Sequence, residues 1–156
     1  MILLVHLLFG AAIGSAIKNI PLAIILAFLS HYFLDVLPHA EYAIGNINKK
    51  LWREKLPVIL KITLDFWMGV LIIMIFSNPT LPAGRQAIIY ACAFFSVLPD
   101  GFTVLHHLFQ HKILKSQIAL HEKIHFLKYK KISIFWRILS LIVVIIIYTT
   151  LLYFNP

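Results

Sequence analysis

The chain has 156 residues, 61% of them hydrophobic, with a mean hydropathy of +0.90, against roughly 45–50% apolar content in a soluble domain. A soluble fold of this size cannot bury that much apolar surface, which excludes an ordinary soluble enzyme. Lys and Arg number 14 against 6 Asp and Glu, for a formal net charge of +8; in so apolar a chain the excess reads as basic cytoplasmic loops, not as a nucleic-acid surface.

The first apolar run extends from about Ile2 to Ile17 and stops at Lys18-Asn19. It lacks the basic leader and small-residue cleavage site of a signal peptide, and His6 interrupts it, so it reads as a retained helix. Gly10, Ala11, Ala12, Gly14, Ser15 and Ala16 give it a small-residue surface that admits a close neighbour. Pro21 opens the second helix, which runs to Leu37 before Pro38, and the tight turn predicts a packed hairpin over residues 1–38.

Residues 39–56 are polar, with Gly45 and the basic cluster Lys49, Lys50, Arg53 and Lys55, and read as an interfacial loop. Pro57 then starts a third helix, reaching Ser77. Its apolar length meets the roughly 20 residues needed to cross a hydrocarbon core. A fourth helix is expected from about Gln86 to Leu98, stopped by Pro99, closing a second hairpin over 57–98. Residues 102–131 mix His and Lys with Phe, Leu and Ile, the pattern of an amphipathic helix lying in the interface. A last span covers 133–154, with Trp136 near one end and Tyr148 and Tyr153 near the other as interfacial anchors. Cys92 has no partner in the sequence, so no disulfide framework exists.

The expected fold is therefore all-α: one polytopic membrane domain of about five transmembrane helices plus an interfacial amphipathic helix. Five crossings put the N-terminus, the 39–56 loop and the 102–131 segment on one side, with nearly all the basic residues; Lys18 and Arg85 are left on the other. That asymmetry predicts a cytoplasmic N-terminus in a bacterial or archaeal inner membrane. Membrane lipids are the expected surroundings, nucleic acid is not an expected partner, and a homo-oligomer is compatible with so small a chain.

This topology gathers the chemistry at one membrane face. His6 lies early in the first helix, His31, Asp35 and His39 lie at the end of the second, Asp65 lies about two turns past Pro57, and Asp100 follows the fourth. His31 and Asp35, four residues apart, share a helix face and can chelate one ion. An intramembrane carboxylate such as Asp65 needs a partner, and the alternatives are the metal or Lys61 four residues before it. His6, His31, Asp35, Asp65, Asp100 and His39 are the leading metal candidates. His107, beside His106 and before His111, is secondary, because a wet interface binding anionic headgroups explains it equally well. His121-Glu122-Lys123-Ile124-His125 matches the H-E-x-x-H zinc pattern. The surrounding lysines indicate a solvated face, so His121 and His125 are also secondary. Val-Leu-Pro recurs in Asp35-Val36-Leu37-Pro38-His39 and Ser96-Val97-Leu98-Pro99-Asp100, a faint echo of a duplicated hairpin.

Val5-His6-Leu7-Leu8-Phe9-Gly10, Leu29-Ser30-His31-Tyr32-Phe33-Leu34-Asp35-Val36-Leu37-Pro38-His39 and Val97-Leu98-Pro99-Asp100 resemble motifs of the YdjM-like family of membrane-bound metal-dependent hydrolases, and more distantly those of zinc-dependent phospholipase C proteins. The resemblance covers mainly the first hairpin and the exit of the fourth helix. It implies a helical membrane protein with a His/Asp metal site and a hydrolase activity of undefined substrate. The family places a second acid and a His-rich stretch after its Leu-Pro-Asp and before its Ser-His-x-x-x-Asp helix. Here that order is shuffled and Asp100 is followed by Gly101-Phe102-Thr103. The family's ligand roles therefore map onto His6, His31, Asp35 and Asp100, and not onto His121 and His125. The expected function is a metal-dependent hydrolase of a lipid or phosphoester at the cytoplasmic interface, with zinc or a similar divalent ion as cofactor. A non-catalytic metal-binding or transport protein is the alternative, and a structural subunit with pH-responsive interfacial histidines is a third.

Overall fold

The computed structural model describes residues 3–36, 51–109, 118–119, 123 and 134–154. Among them all regular structure is helical: α1 (Leu3–Ala16), α2 (Ile20–Val36), α3 (Trp52–Phe76), α4 (Ala83–Phe109) and α5 (Ile134–Phe154).

Helix α1 is apolar on every side, and such a helix has to be surrounded. Eleven of its 14 residues are buried, and it packs against all four other helices, while α2 also packs on α4. Leu3, Leu4, Val5, Leu7, Leu8, Ala11 and Ala12 thus form the centre of the core, with Ile73 of α3, Ile89, Ala93 and Val97 of α4 and Val144 and Tyr148 of α5 around them.

The small-residue surface of α1 serves α4 rather than the hairpin partner expected for it. A Cβ on Gly10 would lie 2.6 Å from the Cys92 carbonyl oxygen, and one on Gly14 would lie 2.9 Å from Ile89 Cα. Glycine at these two positions lets the backbones of α1 and α4 approach. Helix α2 joins them through Ala23 and Ala27, which pack with Cys92.

Both ends of α1 are satisfied by neighbours. At its start the Asp65 carboxylate accepts the Leu4 N–H at 3.1 Å; at its end Arg85 donates to the carbonyls of Ile17 at 3.0 Å and Ser15 at 2.5 Å. A helix leaves unpaired N–H groups at one end and carbonyls at the other, and an anion at the first and a cation at the second also suit its dipole. The turn into α2 is closed by Asn19, whose Oδ1 accepts the Leu22 N–H at 3.1 Å as an N-cap.

Two proline-based boundaries are corrected. Helix α3 begins at Trp52 and contains Pro57 within it, and α4 runs through Pro99 to Phe109. Residues 102–109 therefore prolong α4 and do not begin a separate interfacial helix. A proline removes one helical hydrogen bond, whereas stopping the helix there would strand a whole turn of backbone groups; in apolar surroundings continuation is the cheaper outcome. Tyr148 is a further correction. It is fully buried, not an interfacial anchor, and its hydroxyl donates to the Ile73 carbonyl at 3.4 Å. Trp136 is exposed.

Helices α3 and α4 are long and apolar enough to cross a membrane. Helix α3 turns Leu60, Leu64, Trp67, Met68, Leu71 and Ile75 outward, and α2 does the same with Ile25, Leu29 and Phe33. Outward apolar surface on this scale marks an interaction surface for lipid or protein.

Candidate metal centre

Three helices deliver four side chains to one point in the core. His6 comes from the second turn of α1, His31 and Asp35 from the last turns of α2, and Asp100 from the second half of α4. His31 Nε2 lies 3.0 Å from Asp35 Oδ2 and 3.7 Å from Asp100 Oδ1, and His6 Nε2 lies 3.3 Å from Asp35 Oδ1. The two imidazoles stack with centroids 4.3 Å apart. The His6 and His31 side chains are wholly buried and that of Asp35 is 1% exposed; Asp100 reaches 15% and is the open edge of the group.

One contact fixes the chemistry of His31. Its Nδ1 is 2.9 Å from the carbonyl oxygen of Ser96. A carbonyl only accepts, so Nδ1 carries the proton. Nε2 then offers a lone pair to a cation or, on the doubly protonated ring, a second N–H to the carboxylates. A backbone carbonyl on the far nitrogen is the usual means of orienting a metal-ligating histidine. Ser96 also ties α4 to α1, its Oγ donating to the His6 carbonyl at 2.7 Å. Gly10 is what lets Ser96 come so close.

His6 is the least satisfied group. Its Nδ1 has no hydrogen-bond partner among the described residues, and its Nε2 meets only the Asp35 carboxylate, at 3.3 Å, although burying unpaired polar atoms costs free energy. Two stacked imidazolium rings would repel each other, so protonating both histidines is a poor way to balance the carboxylates. One cation accepting a lone pair from each ring would balance the carboxylates without a second imidazolium. Ligand atoms from His6, His31 and Asp100 lie within 4.8 Å of one another. Around an ion with bonds of about 2.0–2.2 Å, neighbouring ligand atoms stand about 3–3.5 Å apart. The 3.0 to 3.7 Å His–Asp separations approach that spacing.

The other candidates lie elsewhere. The Asp65 carboxylate caps α1 through Leu4 and is not a member of the His6–His31–Asp100 group; Lys61 is exposed on α3. His107 stands at the end of α4, its Nδ1 donating to the Thr103 carbonyl at 2.8 Å and its ring edge-on to His106. His39, His121 and His125 lie outside the described residues. Ser96 is the contributor that residue-type reasoning passes over, since it acts through its backbone carbonyl. The echo motif did hold a signal, for it sets Ser96 in register with Asp35, and the two flank His31 on opposite ring nitrogens.

No protein-family model, curated protein or solved structure matches this chain.

Proposed function

We propose that this protein is a membrane-embedded metal-dependent hydrolase whose ion is held by His6, His31 and Asp100, with Asp35 beside both imidazoles. The observation that carries the reading is the buried meeting of two stacked imidazoles and two carboxylates, with the His31 tautomer set by the Ser96 carbonyl so that Nε2 faces the acids. Imidazole and carboxylate together suit zinc or a similar divalent ion. When bound, such an ion acidifies water and polarises a phosphoryl or acyl oxygen. Asp35, in contact with both rings, is placed to hold a proton released in the reaction, and Asp100 stands at the edge where substrate enters.

The membrane part of the proposal extends the two long apolar helices to about five crossings, with α1, α2 and α5 completing the bundle. The basic residues of the 39–56 and 102–131 segments favour a cytoplasmic N-terminus in an inner membrane. The metal group then lies toward the cytoplasmic interface, where a lipid or phosphoester headgroup meets water. A transport reading would put Asp65 on an ion path; its engagement with the Leu4 N–H speaks for a capping role.

Elemental analysis of purified protein tests the proposal. Near-stoichiometric divalent metal is expected, lost in His31→Ala and Asp100→Ala together with hydrolysis of phospholipid or a soluble phosphodiester. Metal-free protein that is fully folded and resists reconstitution with zinc, manganese or cobalt would sink it.

A further inference from the structure

A groove of about 450 Å³ runs between α3, α4 and the start of α1, within the range of small-molecule sites. Its walls include Leu3, Phe66, Phe94, Phe102 and Leu105, and its ionisable member is Asp100. The same carboxylate reaches toward His31 Nε2. The groove and the metal group therefore share a residue, and Asp100 lies along the α4 wall between Phe94 and Leu108.

Gly101, next to Asp100, lines the same groove, and a Cβ built there would meet nothing within 4 Å, so the space beside Asp100 is open.

We propose that this groove is the substrate channel for the acyl chain of a bilayer lipid, which lies along Phe66 and Phe94 and brings its ester or phosphoester linkage to the level of Asp100. The inference rests on the hydrolase reading and supplies its substrate class. The walls match an alkyl chain and offer few polar partners to any other ligand, and both long walls belong to the helices fit to cross a membrane, so the chain enters from the bilayer. The acidic edge becomes attractive to an anionic headgroup once a divalent ion is seated on it.

The test uses the full chain in phosphatidylcholine vesicles doped with phosphatidic acid bearing a diazirine on one acyl chain, with the sites of photolabelling mapped by mass spectrometry. Labels at Phe94, Phe102 and Leu105 are expected to exceed those at the outward-facing Leu71 and Ile75 by about tenfold. Gly101→Phe should bring groove labelling down to the outer level, Gly101→Ala should preserve it, and Thr63→Trp should block the groove from the α3 wall. Groove labelling equal to that of Leu71 and Ile75, or unchanged in both blocking variants, overturns the proposal. Metal content measured on the same samples separates the two readings. Metal-loaded protein without groove labelling overturns the channel alone, while groove labelling in protein that cannot hold metal supports the channel and overturns the hydrolase.

Discussion

His31 donates its Nδ1–H to the backbone carbonyl of Ser96 across the α2–α4 interface. Because the acceptor is main chain, the orientation of the ring depends on where α4 lies and not on the Ser96 side chain. That position is set in turn by the contact between Gly10 and Ser96. The His–Asp group is thereby coupled to helix packing one turn away from it.

Gly10→Ala tests this coupling. The new Cβ would drive α1 from α4, an overpacking expected to cost about 1–3 kcal/mol. His6 would move with its helix. Thermal unfolding in detergent should show the loss of stability, and zinc titration should show weakened affinity. Unaltered zinc affinity in a measurably destabilised protein would uncouple packing from the site.

Asp65 separates a capping carboxylate from a ligand. Asp65→Ala removes the acceptor for the Leu4 N–H and should cost about 0.5–2 kcal/mol, as lost helix caps do. Asp65→Asn keeps an acceptor oxygen and should recover much of that loss. In both, metal stoichiometry should remain as in the parent protein; a fall in stoichiometry would return Asp65 to the ligand set.

At the other end of α1, Arg85 offers two donors to two carbonyls. Arg85→Lys supplies a single ammonium that lacks the guanidinium fork, so it should restore only part of the stability lost in Arg85→Ala. The full loss is put at about 1.5–3 kcal/mol from charge-assisted hydrogen bonds, and urea or thermal unfolding would measure it. Equal stability of all three proteins would show that these bonds add nothing net.

Metal removal should lower stability as well. Free metal at a hundredfold excess over its dissociation constant stabilises a folded protein by about 2.7 kcal/mol. Chelation should therefore lower the unfolding temperature of the parent protein, and have no effect on His6→Ala/His31→Ala. A chelator shift of equal size in that variant would locate the metal elsewhere.

The convergence of His6, His31, Asp35 and Asp100 was legible in the sequence because a helical hairpin returns its ends to the same level, and side-chain spacing fixes which residues share a face. Three things were not. Pro99 looked like a terminus, yet the cost of exposing backbone groups in apolar surroundings outweighs one lost hydrogen bond. The small face of α1 pointed to its hairpin partner α2, whereas the close approach at Gly10 and Gly14 is to α4. Tyr148 carried the composition of an interfacial anchor, but a carbonyl at Ile73 gave its hydroxyl a partner in the core. Asp65 was correctly read as needing a partner; the N–H it found belongs to a backbone 61 positions earlier, which no local pattern encodes.

The two caps of α1 also set an order of assembly. Helix α1 is synthesised before the residues that satisfy its ends, Asp65 and then Arg85, 61 and 68 to 70 residues downstream. Until α3 and α4 have been synthesised, the start of α1 lacks its acceptor and its final carbonyls lack their donors. The N-terminal segment thus waits on the middle of the chain, and the His6 carbonyl gains its Ser96 hydroxyl donor only once α4 is in place.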